Sequence, residues 1–180
     1  MLGFELMNRP APEYLRGFTL IELLVTVVVL SVVLSLAVPA LQETIKNNRV
    51  TAQNNELMSL INLAKSHAVR RNENVLLELF SDGFEWRANV RLEGDVDDDL
   101  DSGCPEIPGV IRCVANRQVS LDADPLVLTF NNRGYLDQAS GDWDAADLFL
   151  EHDSCNGAFQ ARHIRILPTG QISSEAIDCP

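Results

Sequence analysis

Histidine is scarce in this chain, and positive charge is in deficit. Three histidines, His67, His152 and His163, are scattered through 180 residues. With no paired-histidine spacing and no C-x-x-C, the sequence offers no zinc site. It also lacks a phosphate-cradling glycine loop and a nucleophile with a positioned base. Glu151, His152 and Asp153 stand near Cys155, but neighbours on a strand point to opposite faces. These absences argue against an enzyme, and no cofactor is expected. Lysine and arginine number 14 against 26 acids, a formal charge of −12. Such a balance keeps an exported domain soluble and repels nucleic acid and anionic lipid at long range. Internal repeats and low-complexity linkers are absent too, so the chain reads as one domain of ordinary size behind an N-terminal segment.

One stretch is almost free of charge. From Phe18 to Leu41 the only ionisable side chain is Glu22. The run is long enough to cross a hydrocarbon core of about 30 Å, which takes roughly 20 helical residues. A carboxylate in such a segment is costly unless it finds a partner, which makes Glu22 a functional candidate. The polar leader before it, residues 1–17, carries Arg9 and Arg16, balanced by Glu5 and Glu13. Basic residues on that side favour a cytoplasmic N-terminus and an exported remainder. An ordinary secretory signal is the bland alternative, with Ala37-Val38-Pro39-Ala40 imitating its cleavage site.

Beyond Pro39 the pattern predicts a helix to about Arg71. Val50, Leu57, Leu60, Ile61, Ala64, Ala68 and Val69 recur at three- and four-residue spacing, one apolar face for packing on a domain. Glu56, Lys65, Arg70 and Arg71 are expected on the wet side. From Asn74 the period changes: Val75 to Phe80, a turn at Asp82-Gly83, and alternation from Phe84 to Leu92 predict a β-hairpin. Further strands are expected at 110–114, 118–121, 126–130, 148–151 and 159–167, with a last one around Ile172. The expected fold class is α+β: a long N-terminal helix, membrane half plus amphipathic half, packed on an antiparallel β domain.

The order Gly17, Phe18, three residues, Glu22, with Pro39 at a distance, resembles the class III signal of type IV pilins and type II secretion pseudopilins. The resemblance implies that a prepilin peptidase cuts between Gly17 and Phe18 and methylates the new N-terminus. It implies that Glu22 pairs with the Phe18 amine of a neighbouring subunit during filament assembly, and that Pro39 bends or melts the helix. The divisions are then a leader at 1–17, a transmembrane and filament-core helix at 18–41, and a periplasmic globular domain at 42–180. The segment Leu63 to Asn72, then Phe130-Asn131-Asn132-Arg133-Gly134 and Ile164 to Ile172, is similar to the GspH/FimT/FimU group of minor pilins and pseudopilins. Members are thought to start the filament as a tip complex. Implied partners are other major and minor pilins or pseudopilins, the prepilin peptidase, the inner-membrane assembly platform, and the inner membrane before assembly.

Four cysteines, all in the part expected to be exported, allow three pairings. The local choice, Cys104–Cys113 and Cys155–Cys179, is adopted, the second tying down the C-terminus as a disulfide loop does in many pilins. These pairs favour the pilus over the secretion system. Asp95, Asp97, Asp99, Asp101 and Glu106 imitate a calcium loop, but Leu100 replaces the glycine of its sharp turn, so an acidic solvated loop is the default. Some members of the group bind DNA through a Gly-Arg-x-Arg stretch, where this chain has Gly170-Gln171-Ile172-Ser173. Arg162, His163 and Arg165 remain as a small basic strand face, read as solvated charges, and nucleic acid is not an expected partner. The alternative function is a pilus-borne binding module, a DNA-uptake receptor or adhesin.

Overall fold

The computed structural model describes residues 18–83, 85–94, 104, 109–117, 119–123, 126–139, 145–152, 155 and 160–179. The chain divides into two units, residues 1–41 and 42–180. Helix α1, Leu20–Arg71, belongs to both.

In the first unit every described side chain is exposed, including the large apolar ones from Phe18 to Leu41. Thr26, Ser31 and Ser35 donate their hydroxyls to the carbonyls of Leu23, Val28 and Val32 at 2.7–2.8 Å. Each thereby satisfies its own polar group inside an apolar segment. The helix runs through Pro39. Without a proline N–H, the carbonyl of Ser35 loses its donor four residues on.

The second unit is a two-sheet antiparallel domain whose core also takes in the C-terminal half of α1. Its strands are β1 (Val75–Asp82), β2 (Glu85–Leu92), β3 (Val110–Arg117), β4 (Val119–Asp122), β5 (Leu126–Phe130), β6 (Leu136–Ala139), β7 (Ala146–His152), β8 (Ala161–Ile166) and β9 (Ile172–Ile177). One sheet has the order β3-β2-β1-β5-β6 and the other β4-β7-β8-β9. β4 lies against β1 and β2 and so links the sheets. Val50, Leu57, Leu60, Ile61, Ala64 and Ala68 of α1 join Leu77, Trp86, Phe130, Leu148 and Ile164 of the strands in one core. Strand alternation sends every second residue inward, which is why β2 buries Trp86, Ala88 and Val90.

Val69, expected in the apolar stripe, is half exposed. It falls about 120° around the helix from Leu57, whereas Ala64 and Ala68 lie within about 20° of it. Asn54 is in the stripe instead, and its amide oxygen accepts a 2.7 Å bond from the Ser174 hydroxyl of β9. Gln53 accepts from the Trp86 indole at 2.7 Å and donates to the carbonyl of Arg117, while Glu56 accepts from Asn116. Lys65 and Glu56, expected on the wet side, are half-buried. Their alkyl stems flank the buried stripe and their heads are bonded to the domain.

The helix stops at Asn72, the one described non-glycine residue with positive φ, 56°. The Glu73 N–H bonds the Ala68 carbonyl at 3.3 Å, closing a Schellman turn.

Candidate functional site

Three places carry the residues that the sequence reading singled out. The first is the start of α1. Thr19 caps the helix, its hydroxyl accepting the Glu22 N–H at 3.2 Å and its carbonyl the Leu23 N–H at 3.2 Å. Glu22 is thereby held at the third helical position, in the first turn, where its charge complements the positive end of the helix dipole. Its carboxylate is exposed among exposed apolar side chains. Gly17 lies outside the described residues, so the structure addresses only the Phe18 side of the junction. Phe18 itself is 85 % exposed.

The second place is where two turns meet over the helix. In the β5–β6 turn, Asn131 accepts through its side chain from the N–H groups of Arg133 and Tyr135, and Gly134 adopts φ +79°. In the β8–β9 turn, Gly170 adopts φ +72° and its N–H bonds the Leu167 carbonyl at 2.8 Å. Leu136 N–H reaches Pro168 O at 3.0 Å, and the Lys65 ammonium donates to Gly170 O at 2.8 Å. A Cβ on Gly170 would stand 2.1 Å from the Gly134 carbonyl oxygen, and one on Gly134 would press on Lys65 and Val69. The two glycines thus let the sheets close over one lysine of the helix.

The third is the outer face of β8. His163 stacks on Phe149 with ring centroids 4.7 Å apart, and its nitrogens meet Asp147 at 2.6 Å and Glu175 at 3.1 Å. Arg165 binds Asp147 through Nε at 2.8 Å. The Arg165 hydrogen bond, assisted by His163, holds the Asp147 carboxyl below the usual carboxylate range against the opposing effect of burial. Arg162 points to the other side and binds Thr51 at 2.9 Å. The strand face read as free solvated charge is instead paired internally, and this reduces the positive potential left for phosphate.

The structure joins Cys104 to Cys113 and Cys155 to Cys179, separated by 9 and 24 residues. Asp95, Asp97, Asp99, Asp101 and Glu106 lie outside the described residues. A polar cavity of about 610 Å³ beside the helix C-terminus is lined by Asn72, Glu73, Asn74, Glu93, Asn132 and Asp137, among others. Among the described residues no group of three or more His, Cys, Asp or Glu could hold a metal ion.

The family model described as type II transport protein GspH matches residues 53–173. The chain belongs to the GspH family. A second model, the prokaryotic N-terminal methylation motif, matches residues 16–38. No curated protein matches the sequence. Two crystal structures of the type IV minor pilin FimU from Pseudomonas aeruginosa strain PAO1 resemble this GspH-family chain at 16 % identity. Their TM-scores are 0.46 and 0.49, covering 69 % and 71 % of this chain and 91 % and 89 % of FimU.

As a GspH-family member the chain is a minor pilin or pseudopilin, a structural subunit and not an enzyme. The family match spans both glycine turns and the helix face beneath them, so the similarity noted from Phe130 to Gly134 and Ile164 to Ile172 has a physical content. Sequence reasoning missed Lys65, Asn54 and Asp147 as bonded residues. The glycines of the two turns were a legible signal of close backbone approach; the partners of Asn54 and Asp147, more than fifteen residues away, left none.

Proposed function

We propose that this chain enters or caps the tip of a type IV pilus or type II secretion pseudopilus and helps to start its assembly. In this reading residues 1–17 are a leader removed by the prepilin peptidase between Gly17 and Phe18. Residues 18–41 anchor the chain in the inner membrane, with residues 42–180 in the periplasm, and then pass into the filament core. The inner-membrane platform and other pilins or pseudopilins are its partners.

The observation that carries the proposal is Glu22: one carboxylate, four residues after Phe18, set by a capped first turn inside an apolar segment whose side chains are all exposed. Alone in lipid, that charge is expensive. Paired with the methylated amine of a neighbour's Phe18, it becomes a condition of entry into the filament. Pro39 supports the same reading, because a missing helical bond gives the segment a place to bend on leaving the membrane.

The pilus is preferred to the secretion system because of the disulfide-tied C-terminus. Pairing of Arg165 and His163 with Asp147 and Glu175 disfavours the receptor alternative. Intact-mass and N-terminal analysis of the membrane-extracted protein from its own host tests the proposal. A chain beginning at methylated Phe18 is expected, absent when Gly17→Val is introduced. A chain beginning near Ala40 would make this a simple secreted domain.

A further inference from the structure

The two sheets have four edges to which, among the described residues, no strand is paired: β3 and β6 on the first sheet, and β4 and β9 on the second, of which β4 is only four residues long, lies against β1 and β2 and ends in exposed Asp122. Exposed edges carry unpaired N–H and C=O groups, and proteins blunt them with charge, proline, bulges or shortness. β3 is blunted by exposed Arg112 and Arg117, by the Cys113 bridge and by the register shift opposite Val90 and Arg91. β6 has only four residues, a register shift beside it, and Leu136 N–H already bonded to Pro168.

β9 has none of these devices. It pairs with β8 over six residues without a shift, contains no proline, lysine or arginine, and exposes Ser173, Ser174, Glu175 and Ala176. Serine and alanine are too small to shield the backbone beside them. The one charged side chain, Glu175, which could guard the edge, reaches back across β8 to His163 Nδ1 at 3.1 Å. The strand is also held rigid, by the Ser174–Asn54 bond to the helix, by the Gly170 turn at its start and by the Cys155–Cys179 bridge just past its end. A rigid, unguarded edge is a pre-ordered template, with little entropy left to lose when a strand is added.

We infer that the outer edge of β9 is a docking site for an extended segment of a different pilin-class subunit, added as a fifth strand to the second sheet. Backbone groups repeating along an edge are satisfied by another peptide strand and by little else of regular shape. Charge selects the partner. The strand holds no base and belongs to a chain of net charge −12, so a second copy is repelled and a segment bearing lysine or arginine is favoured. This partner assignment rests on the filament function proposed above.

The test uses the full-length protein in its own host. Hydrogen–deuterium exchange is read on filaments and on detergent-extracted subunits, and a photoreactive residue at Ser173 identifies the neighbour. In filaments, alternate amides of Ile172–Ile177 should exchange about tenfold more slowly or less still, and the crosslink should fall on an extended segment of another pilin-class subunit. Ser173→Lys with Ala176→Lys should keep the melting temperature and lose incorporation. Normal incorporation with unchanged β9 exchange would overturn the docking site and leave the filament function standing. A crosslink to a second copy would overturn the choice of partner. Absence of the wild-type chain from every filament would remove the function itself, and the docking site with it.

Discussion

Gly170 is the residue on which the domain's closure depends most directly. Its φ of +72° already disfavours a side chain, and an added Cβ would lie 2.1 Å from the Gly134 carbonyl oxygen, a backbone atom that cannot swing away. Gly83 has a similar φ, +62°, with open space around it. The pair separates conformational strain from collision. Gly83→Ala should cost about 1 kcal/mol, while Gly170→Ala should cost upwards of about 3 kcal/mol and release the Lys65 ammonium from its carbonyl. Urea unfolding of the isolated 42–180 domain would measure both; equal costs would mean that the two turns part without penalty. Asp147 supplies a second prediction. Its folded pKa is lowered, chiefly by Arg165, so its contribution is present above the unfolded value near 3.8 and is lost as pH falls through the lower folded value. The stability gap between wild type and Asp147→Asn should therefore be steady at neutral pH, small for a solvent-screened pair, and close below about pH 4. A gap that instead opened on acidification would reverse the assigned sign.

Among the elements, the ones with strong periodicity were legible in the sequence. The helix end near Arg71, the β1–β2 hairpin around Asp82-Gly83, and β5 were all expected where they stand. β6 was not, because Leu136-Asp137-Gln138-Ala139 is short and polar and exists as a strand through its partner β5. β7 begins two residues before its expected start, since Ala146 and Asp147 look like loop until Ile166 and Arg165 stand opposite them. Pairing is a property of two segments, and one segment's composition records it weakly. The disulfides act on the same scale. Each constrains the unfolded chain by closing a loop, of 24 residues for Cys155–Cys179 and 9 for Cys104–Cys113. On loop-closure entropy the longer one is worth roughly 3.5 kcal/mol and the shorter roughly 2.6 kcal/mol. Replacing each pair by serines and comparing urea midpoints should reproduce that order, and the longer bridge's loss should also raise exchange in β9. The reverse order would show that native strain or residual unfolded structure outweighs chain entropy.

At the scale of the whole molecule, an acidic domain and an apolar helix are joined in one chain, and Glu22 is the charge that the apolar part retains. Two roles compete for it. As a first-turn acid it stabilises its own helix by only about 0.3–1 kcal/mol through the dipole. As one half of an ion pair in low dielectric, its loss would strand a buried amine, at about 3–5 kcal/mol. Each 1.4 kcal/mol is about tenfold in an equilibrium constant, so the two roles differ by orders of magnitude in assembly and hardly at all in folding. Glu22→Ala should accordingly reach the membrane, be cut after Gly17 and keep the domain's unfolding midpoint, yet enter filaments at least about a hundredfold less than wild type by quantitative mass spectrometry. Glu22→Gln separates charge from hydrogen bonding: it keeps an acceptor for the amine but no countercharge, and should fail nearly as badly. Near-normal entry of Glu22→Gln would mean that the amine needs an acceptor alone, and normal entry of Glu22→Ala would leave the carboxylate with its helix-dipole role and no other.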